Sequence, residues 1–504
     1  MNKKFIVLCI LFSLAFVYAE GENPTITPKL PAIKDSCYQV SSVEELYGFA
    51  AAMNGSDGFE KDSINECMEL LADIVINKNV LDDTLGLAGD TSSYYLWTPI
   101  KRLNWGTIKG NGHTISGLVA IQPTKHDHWG FVGYADRSIT ISKLHIRDAF
   151  IRDFGSSGHG CGGFVGTAYG TLIATESSFS GVVNSSQPTG GFVGDGSAKI
   201  SNSAVFGNIS GSDAGGFVGN VKSSAEITRS YNEALIYSAN AGGFVGNVSN
   251  PGKRAIISES YNVGKIKTTS WDKAAGGFVG SLFMGEVVLY NVYNAGDILE
   301  AEKSGALVGQ NLLNSPGTVK VANSFNIGKK VDCETKLSNY QALVGGTIGS
   351  SGAVENSFFL TDTMCNEFCH GTSISEKEFE DGTLLKMLQP YKDTLYYFTT
   401  NALPVDGSVW SQEIGKDKYP VLKNASLDAV VKKRIPSMLQ ISVSGQTVDF
   451  SGARIGSSFA VFDISGKVLK QGAVSSVTHS VEIPNAGLYI VRVGTQSQVV
   501  KIHR

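Results

Sequence analysis

The chain has 504 residues, too many for one ordinary core, and its 58 glycines favour a repeat array over a set of independently packed domains. Only 17% of residues are charged and the formal balance is -4. No block of lysine or arginine is present to neutralise a run of phosphates, which excludes nucleic acid as a partner class.

At the start, Lys3 and Lys4 precede an apolar run from Phe5 to Val17, and "VYA" at 17–19 matches a small-residue cleavage site. This predicts a secretory signal peptide over 1–19. Cys9 lies in the middle of the run, so no lipoprotein anchor is expected, and no later apolar stretch is long enough to span a bilayer after cleavage. Removing the signal leaves Cys37, Cys67, Cys161, Cys333, Cys365 and Cys369, an even number that suggests disulfides outside the cytosol. Cys37 and Cys67 bracket one N-terminal unit and are the first expected pair. Two of Cys333, Cys365 and Cys369 are expected to bond to each other. "CNEFCH" at 365–370 lacks a fourth ligand at zinc spacing, so neither a metal nor any other cofactor is expected.

Residues 20–100 read as an N-terminal cap. "SSVEELYGFAAAMNG" places Ser42 and Glu45 at capping-box spacing before a helix, and "WTPI" at 97–100 reads as an edge strand closing the first coil.

Over 101–360 one motif recurs. "WGFVG" ends at Gly133, copies of "GGFVG" end at Gly166, Gly194, Gly219, Gly246 and Gly280, and "GALVG" and "QALVG" end at Gly309 and Gly345. Between them runs a second landmark, such as "SYNVG" at 260–264 and "VYNAG" at 292–296, each preceded by a short alternating apolar and polar run. Alternation is the strand period, so each repeat reads as strand, turn, strand, turn. A unit of this size is one coil of a parallel β-solenoid, and eight copies stacked at about 4.8 Å make a rod on the order of 40 Å. In this reading the paired glycines supply backbone freedom at a corner and let coils approach, while Phe or Leu and then Val stack inward. Lys265, Asp297 and Lys329 are phase-matched across three repeats, and Asn232, Asn262, Asn294 and Asn326 fall in one column able to form an amide ladder.

Residues 361–424 read as the other cap, with Ser375 and Glu378 at capping-box spacing and "VWSQEIGKDKYPVL" at 409–422 closing that end. A linker follows over 425–440. Residues 441–504 change character to short, regularly spaced strands, the pattern of a small antiparallel sandwich.

The "GGFVG" copies, with "GTIKGNGHTISGL" at 106–118 before them and "GTSISEKEFEDGT" and "YPVL" after, resemble the GLUG-motif repeat proteins of bacterial surfaces over residues 37–424. The resemblance implies a right-handed β-helix-like stalk, found in large surface proteins that include some IgA-cleaving metallopeptidases. "VFDISGKVL" at 461–469 and "AGLYIVRV" at 486–493 resemble the C-terminal sorting domain of type IX secretion cargo. That resemblance implies the type IX secretion machinery as a partner, and delivery to the outer surface or medium of a Gram-negative bacterium like Bacteroidetes or Fibrobacter. The expected fold is all-β, a right-handed parallel β-helix of GLUG-type repeats with capping helices, plus a small C-terminal antiparallel β-sandwich.

Catalytic signatures are scarce. No "HExxH" occurs, nor a "GxSxG" elbow or a P-loop. A polysaccharide-active β-helix enzyme would need converging acids, and Glu176, Glu259 and Asp272 are scattered. His126, Asp127 and His128 sit in an inserted turn, read as a solvated loop before a metal site. His159 and Cys161 show no orienting partner, so Cys161 reads as structural. Trp129 and Trp271 both precede a glycine motif, hence one edge of the solenoid about five coils or roughly 24 Å apart. With Asp272, His126 and His128 they are the candidate ligand-binding set, either as exposed platforms for plant or host glycans or as side chains that pack their own loops. The expected function is contact, as adhesin, glycan-binding or scaffold protein toward glycans or surface proteins. The alternatives are the β-helix enzyme and an inert stalk.

Overall fold

A computed structural model describes residues 23–502, apart from 63, 123–127, 156–157, 270–272, 300, 302, 312–316, 332–342, 361–369, 398–400, 424–439, 445, 452–457, 474–477, 484 and 494–495. One extended sheet system winds from Ile33–Lys34 to Thr372–Ile374 as a β-solenoid of about nine turns. A representative coil runs through Val165–Thr175, Ser178–Ser185 and Thr189–Gly190 before Val193–Ser201 begins the next. Each segment pairs in parallel with its counterpart one coil on, as in Val165 with Val193 and Phe179 with Val205. Parallel stacking starts early. Cys37–Val40 pairs with Cys67–Leu70, which pairs with Thr107–Lys109, so the segment expected to be only a cap supplies stacked strands.

The repeated motif explains the core. Phe164, Phe192, Phe217, Phe244 and Phe278 stack as an inward column with successive ring centroids 4.6, 5.3, 4.9 and 4.7 Å apart. The adjoining valines, from Val165 to Val344, are fully buried beside them. Of the two roles expected of the paired glycines, close approach is found and corner freedom is not. None of the paired glycines has φ in the left-handed region. Their role is close approach, since a Cβ on Gly243 would lie 2.0 Å from the Gly277 carbonyl oxygen and 2.8 Å from Asn262 Oδ1. The space that their missing side chains leave is filled by the next coil's backbone and by the asparagine ladder.

That ladder is continuous, with Asn232, Asn262 and Asn294 each donating to the next asparagine's Oδ1 at 2.8, 2.7 and 2.8 Å. The second amide hydrogen of each goes to a carbonyl two residues along its own chain. Buried amides cost little only when fully paired, and these are. The register also places Lys265, Asp297 and Lys329 in one column, because Ile266 pairs with Ile298 and Ile298 with Lys330.

The sharp corner falls elsewhere, at Lys143, Glu176, Asn202, Arg229, Glu259, Asn291, Asn323 and Asn356, all with φ between 41 and 52°. One non-glycine residue per coil thus sits in the left-handed region, which disfavours most side chains. Neighbours along the column bind one another, as in the Lys143–Glu176 pair at 3.6 Å and Asn323 donating to Asn291 Oδ1 at 2.7 Å.

At the N-terminal end, helix Val43–Asn54 is capped by Ser42, whose side chain accepts from the Glu45 N–H, and stops at left-handed Gly55. Residues 376–422 do not simply close the far end. Tyr231, Tyr261, Tyr293 and Phe325 form an outward aromatic column, with rings 4.9, 5.1 and 5.2 Å apart. Helices Glu376–Glu380 and Thr383–Leu388, with Trp410, cover that column along the flank, the Trp410 ring lying 5.3 Å from Phe325. The hairpin Lys392–Tyr397 and Asn401–Asp406 covers Ile256, Val288 and Ala322 beside it. An apolar stripe of such length needs a lid, and this segment supplies it.

The C-terminal residues form the expected antiparallel unit. Three strands (Gln440–Ser444, Thr447–Ser451, Thr478–Glu482) and four (Ser458–Asp463, Val468–Ala473, Gly487–Val493, Gln496–Ile502) share one core that includes Val448, Val461 and Val491.

Candidate functional site

The disulfide expected first is formed, Cys37 to Cys67. It anchors a cleft of about 550 Å³ at the early coils, lined among others by Ile64, Glu66, Arg102, Trp105, Asp136 and Arg137. Glu66, next to Cys67, fixes the cleft's central turn by accepting from the backbone N–H groups of Asn104 at 2.6 Å and Trp105 at 2.8 Å and from Asn104 Nδ2 at 2.8 Å. The turn therefore holds Trp105 out from the wall, 67% exposed, with Ile64 at 90% across the cleft. Arg137 lays its guanidinium over the indole, 5.3 Å from the ring centroid. Arg102 pairs with Asp136 at 2.6 Å.

Such a set has a clear chemistry. An exposed indole on a rigid turn offers a flat apolar face, and carboxylate, guanidinium and amide groups around it offer planar hydrogen-bond partners. A sugar ring presents the complementary pair of surfaces, a C–H face and a hydroxyl edge. The volume is in the range of ordinary ligand clefts.

A second cluster lies on the same side of the solenoid. Leu103, Ala135 and Ala168 stack in register, so Trp105 and Arg137, two residues after the first two, and Tyr169, one residue after the third, lie on successive coils. Tyr169 is 52% exposed. His128 packs 4.0 Å from His159 and 4.9 Å from Tyr134, centroid to centroid, with Tyr169 at 5.8 Å. Lys222 reaches over the Tyr169 ring at 5.1 Å while pairing with the buried Asp195 carboxylate at 2.8 Å. Burial, then the charges of His159 and Lys222, push the His128 imidazole down to about 4. Its Nδ1 is buried with no hydrogen-bond partner.

No known protein family and no curated protein matches the chain in sequence. Among solved structures, it is similar to a Bacteroides ovatus protein described as a candidate immunoglobulin A1 protease, at 16% identity and a TM-score of 0.39, over 78% of this chain and 94% of that one. A protein described as an IgA1 protease aligns at 14% identity and a TM-score of 0.36, over 92% of this chain and 34% of the other.

The residues expected to bind ligand are placed differently from Trp105. Trp129 is half-buried against the core, its indole N–H donating to the Ala120 carbonyl at 3.1 Å, so it packs its own loop and is no open platform. His128 belongs to the aromatic cluster just described. His126, Trp271 and Asp272 lie outside the described residues, as do Cys333, Cys365 and Cys369. Cys161 is wholly buried, and that burial pushes its thiol well up, away from nucleophile chemistry. Glu176 and Glu259 occupy the same left-handed corner three coils apart, roughly 14 Å, beyond the separation a glycosidase acid pair uses. Trp105 itself was not singled out in the sequence. The available signal was a tryptophan in an Asn-Trp-Gly turn, where no strand alternation asks for an apolar side chain.

Proposed function

We infer that this chain works by contact, as a glycan-binding β-solenoid delivered outside the cell. The observation that carries the reading is Trp105, exposed on a turn that Glu66 and the neighbouring disulfide hold in place, with Arg102, Asp136 and Arg137 around it. A rigid aromatic platform costs little entropy on binding. The disulfide supports an oxidising compartment. With the N-terminal signal pattern and the C-terminal sorting-domain resemblance, it supports export by type IX machinery to a bacterial outer surface. Glu176 and Glu259, three coils apart, do not form a glycosidase acid pair.

The test is retention of the full secreted chain on insoluble cellulose, xylan, pectin and mucin, with reducing ends measured in the supernatant. Retention without sugar release, lost in Trp105→Ala while the fold survives, is the expected result. Release of sugar ends would replace the binding role by an enzymatic one, and unchanged retention in Trp105→Ala would move the site elsewhere.

A further inference from the structure

Resting on the glycan reading of the Trp105 cleft, we propose that its ligand is a linear acidic glycan, carboxylates on its sugars, running along the solenoid axis from Trp105 past Arg137 to Tyr169. Two independent features carry this. The first is charge. Arg102 is neutralised by Asp136, whereas Arg137 makes no ion pair among the described residues and faces the cleft through its stack on Trp105. A guanidinium fork matches a carboxylate in two parallel hydrogen bonds, and its stacking on an indole holds the fork in position.

The second feature is linear placement. Trp105, Arg137 and Tyr169 stand on successive coils, Tyr169 in a strand one register position short of Arg137, over which Gly170 stacks, and Lys222 follows Val221, which stacks two coils beyond Ala168 through Gly196. From Trp105 to Tyr169 is two coils, about 10 Å, and the Lys222 backbone stands two coils further on, its ammonium reaching back to 5.1 Å from the Tyr169 ring. Aromatic and cationic side chains thus recur on neighbouring coils of one side of the solenoid, a track for an extended chain in place of a pocket for a single ring. Arg137 reads the carboxylate, Trp105 and Tyr169 carry the ring faces, and Lys222, paired with Asp195, covers the Tyr169 ring at the end of the track.

The experiment measures dissociation constants of the full chain for polygalacturonate against its methyl ester, and for hyaluronan against carboxyl-reduced hyaluronan. Each pair keeps the sugar backbone and replaces the carboxylate by an uncharged group. Expected is a preference of tenfold or more for the acid form of at least one pair, weakening as salt rises, abolished in Arg137→Gln and kept in Lys143→Ala. Tyr169→Ala is expected to weaken binding of a tetrasaccharide and leave a disaccharide unchanged. Equal binding of acid and neutralised forms by the unmodified chain overturns this proposal and leaves the glycan reading standing. Loss of the length dependence only in the unmodified chain, with disaccharide and tetrasaccharide bound alike, overturns the axial track. Failure to bind any of the four polymers while cellulose or xylan retains the chain overturns the acidic-glycan proposal alone, whereas failure on these as well, or binding that Trp105→Ala leaves intact, overturns the glycan reading itself.

Discussion

Asn262 donates its side-chain N–H to Asn294 Oδ1 at 2.7 Å inside the core, across 32 residues of sequence. The Asn262 Oδ1 in turn accepts from Asn232 at 2.8 Å, so Asn262 is a link with a partner on both sides. Replacing it by leucine keeps the volume near constant and removes the partner of one donor on Asn232 and of acceptors on Asn294 and Gly264. Each orphaned buried group costs about 1–3 kcal/mol. Asn262→Leu is therefore expected to lower the urea midpoint markedly, whereas Lys265→Ala, exposed on the next turn, is expected to leave it nearly unchanged. Equal midpoints for both variants would show that the ladder is dispensable.

Gly243 decides how close two coils come. A methyl group there would sit 2.0 Å from the Gly277 carbonyl and would also meet the asparagine ladder. Gly243→Ala must push two backbones apart, with overpacking cost on the order of 3 kcal/mol. Circular dichroism through a thermal ramp is expected to show a lower, broader transition than for the parent chain. An unaltered transition would mean that the coils have slack at this corner, contrary to the geometry.

How far these features could be read from sequence depends on whether their signal is repeated. The Phe and Val columns, the asparagine ladder and the Lys265–Asp297–Lys329 register all recur at fixed phase, and each was found where the spacing put it. The left-handed corner was invisible because its occupants, Lys143, Glu176, Asn202 and Arg229 among them, share no side-chain type; backbone stacking imposes the conformation. Trp105 was missed for a related reason. Its site is assembled from Glu66, Arg102, Asp136 and Arg137, contributed by three different coils, and only coil stacking brings them together. The flank position of residues 376–422 likewise follows from the outward Tyr and Phe column, whose need for cover appears only once the coils are stacked.

The Cys37–Cys67 bond closes a 30-residue separation and sits beside Glu66, which holds the Trp105 turn. Cross-linking a loop of this size stabilises the fold by about 3 to 4 kcal/mol on the chain-entropy account. The double variant Cys37→Ser, Cys67→Ser is expected to lose stability of that order in urea titration. It is also expected to raise the Kd for glycan more than Lys143→Ala does, because the freed segment carries Glu66. A stability loss with unchanged Kd would separate the disulfide from the site.

His128 gives the chain a defined acid response. Its imidazole is held down to about 4 in the fold by burial and by the positive charges of His159 and Lys222, against a nearby Asp195 that acts in the opposite direction. An unfolded histidine takes up its proton near 6.5, so between about 6.5 and 4 the unfolded chain binds a proton that the folded chain refuses. Stability is thus complete above the unfolded value and declines as pH falls through that window. Carboxylates with lowered values such as Glu45 and Asp62, held to about 2, lose their contribution only at lower pH. Buried Asp153 and Asp213, pushed up by desolvation, act with the opposite sign, and His370, also lowered by burial, adds to the same trend. The informative quantity is then the difference between the parent chain and His128→Phe, in which an aromatic ring still packs against Tyr134 and His159. Denaturation midpoints measured from pH 7.5 to 4 are expected to fall more steeply for the parent, with the gap opening below about 6.5. Parallel curves would place the His128 proton on the folded and unfolded chains alike, and would remove the burial argument for this cluster.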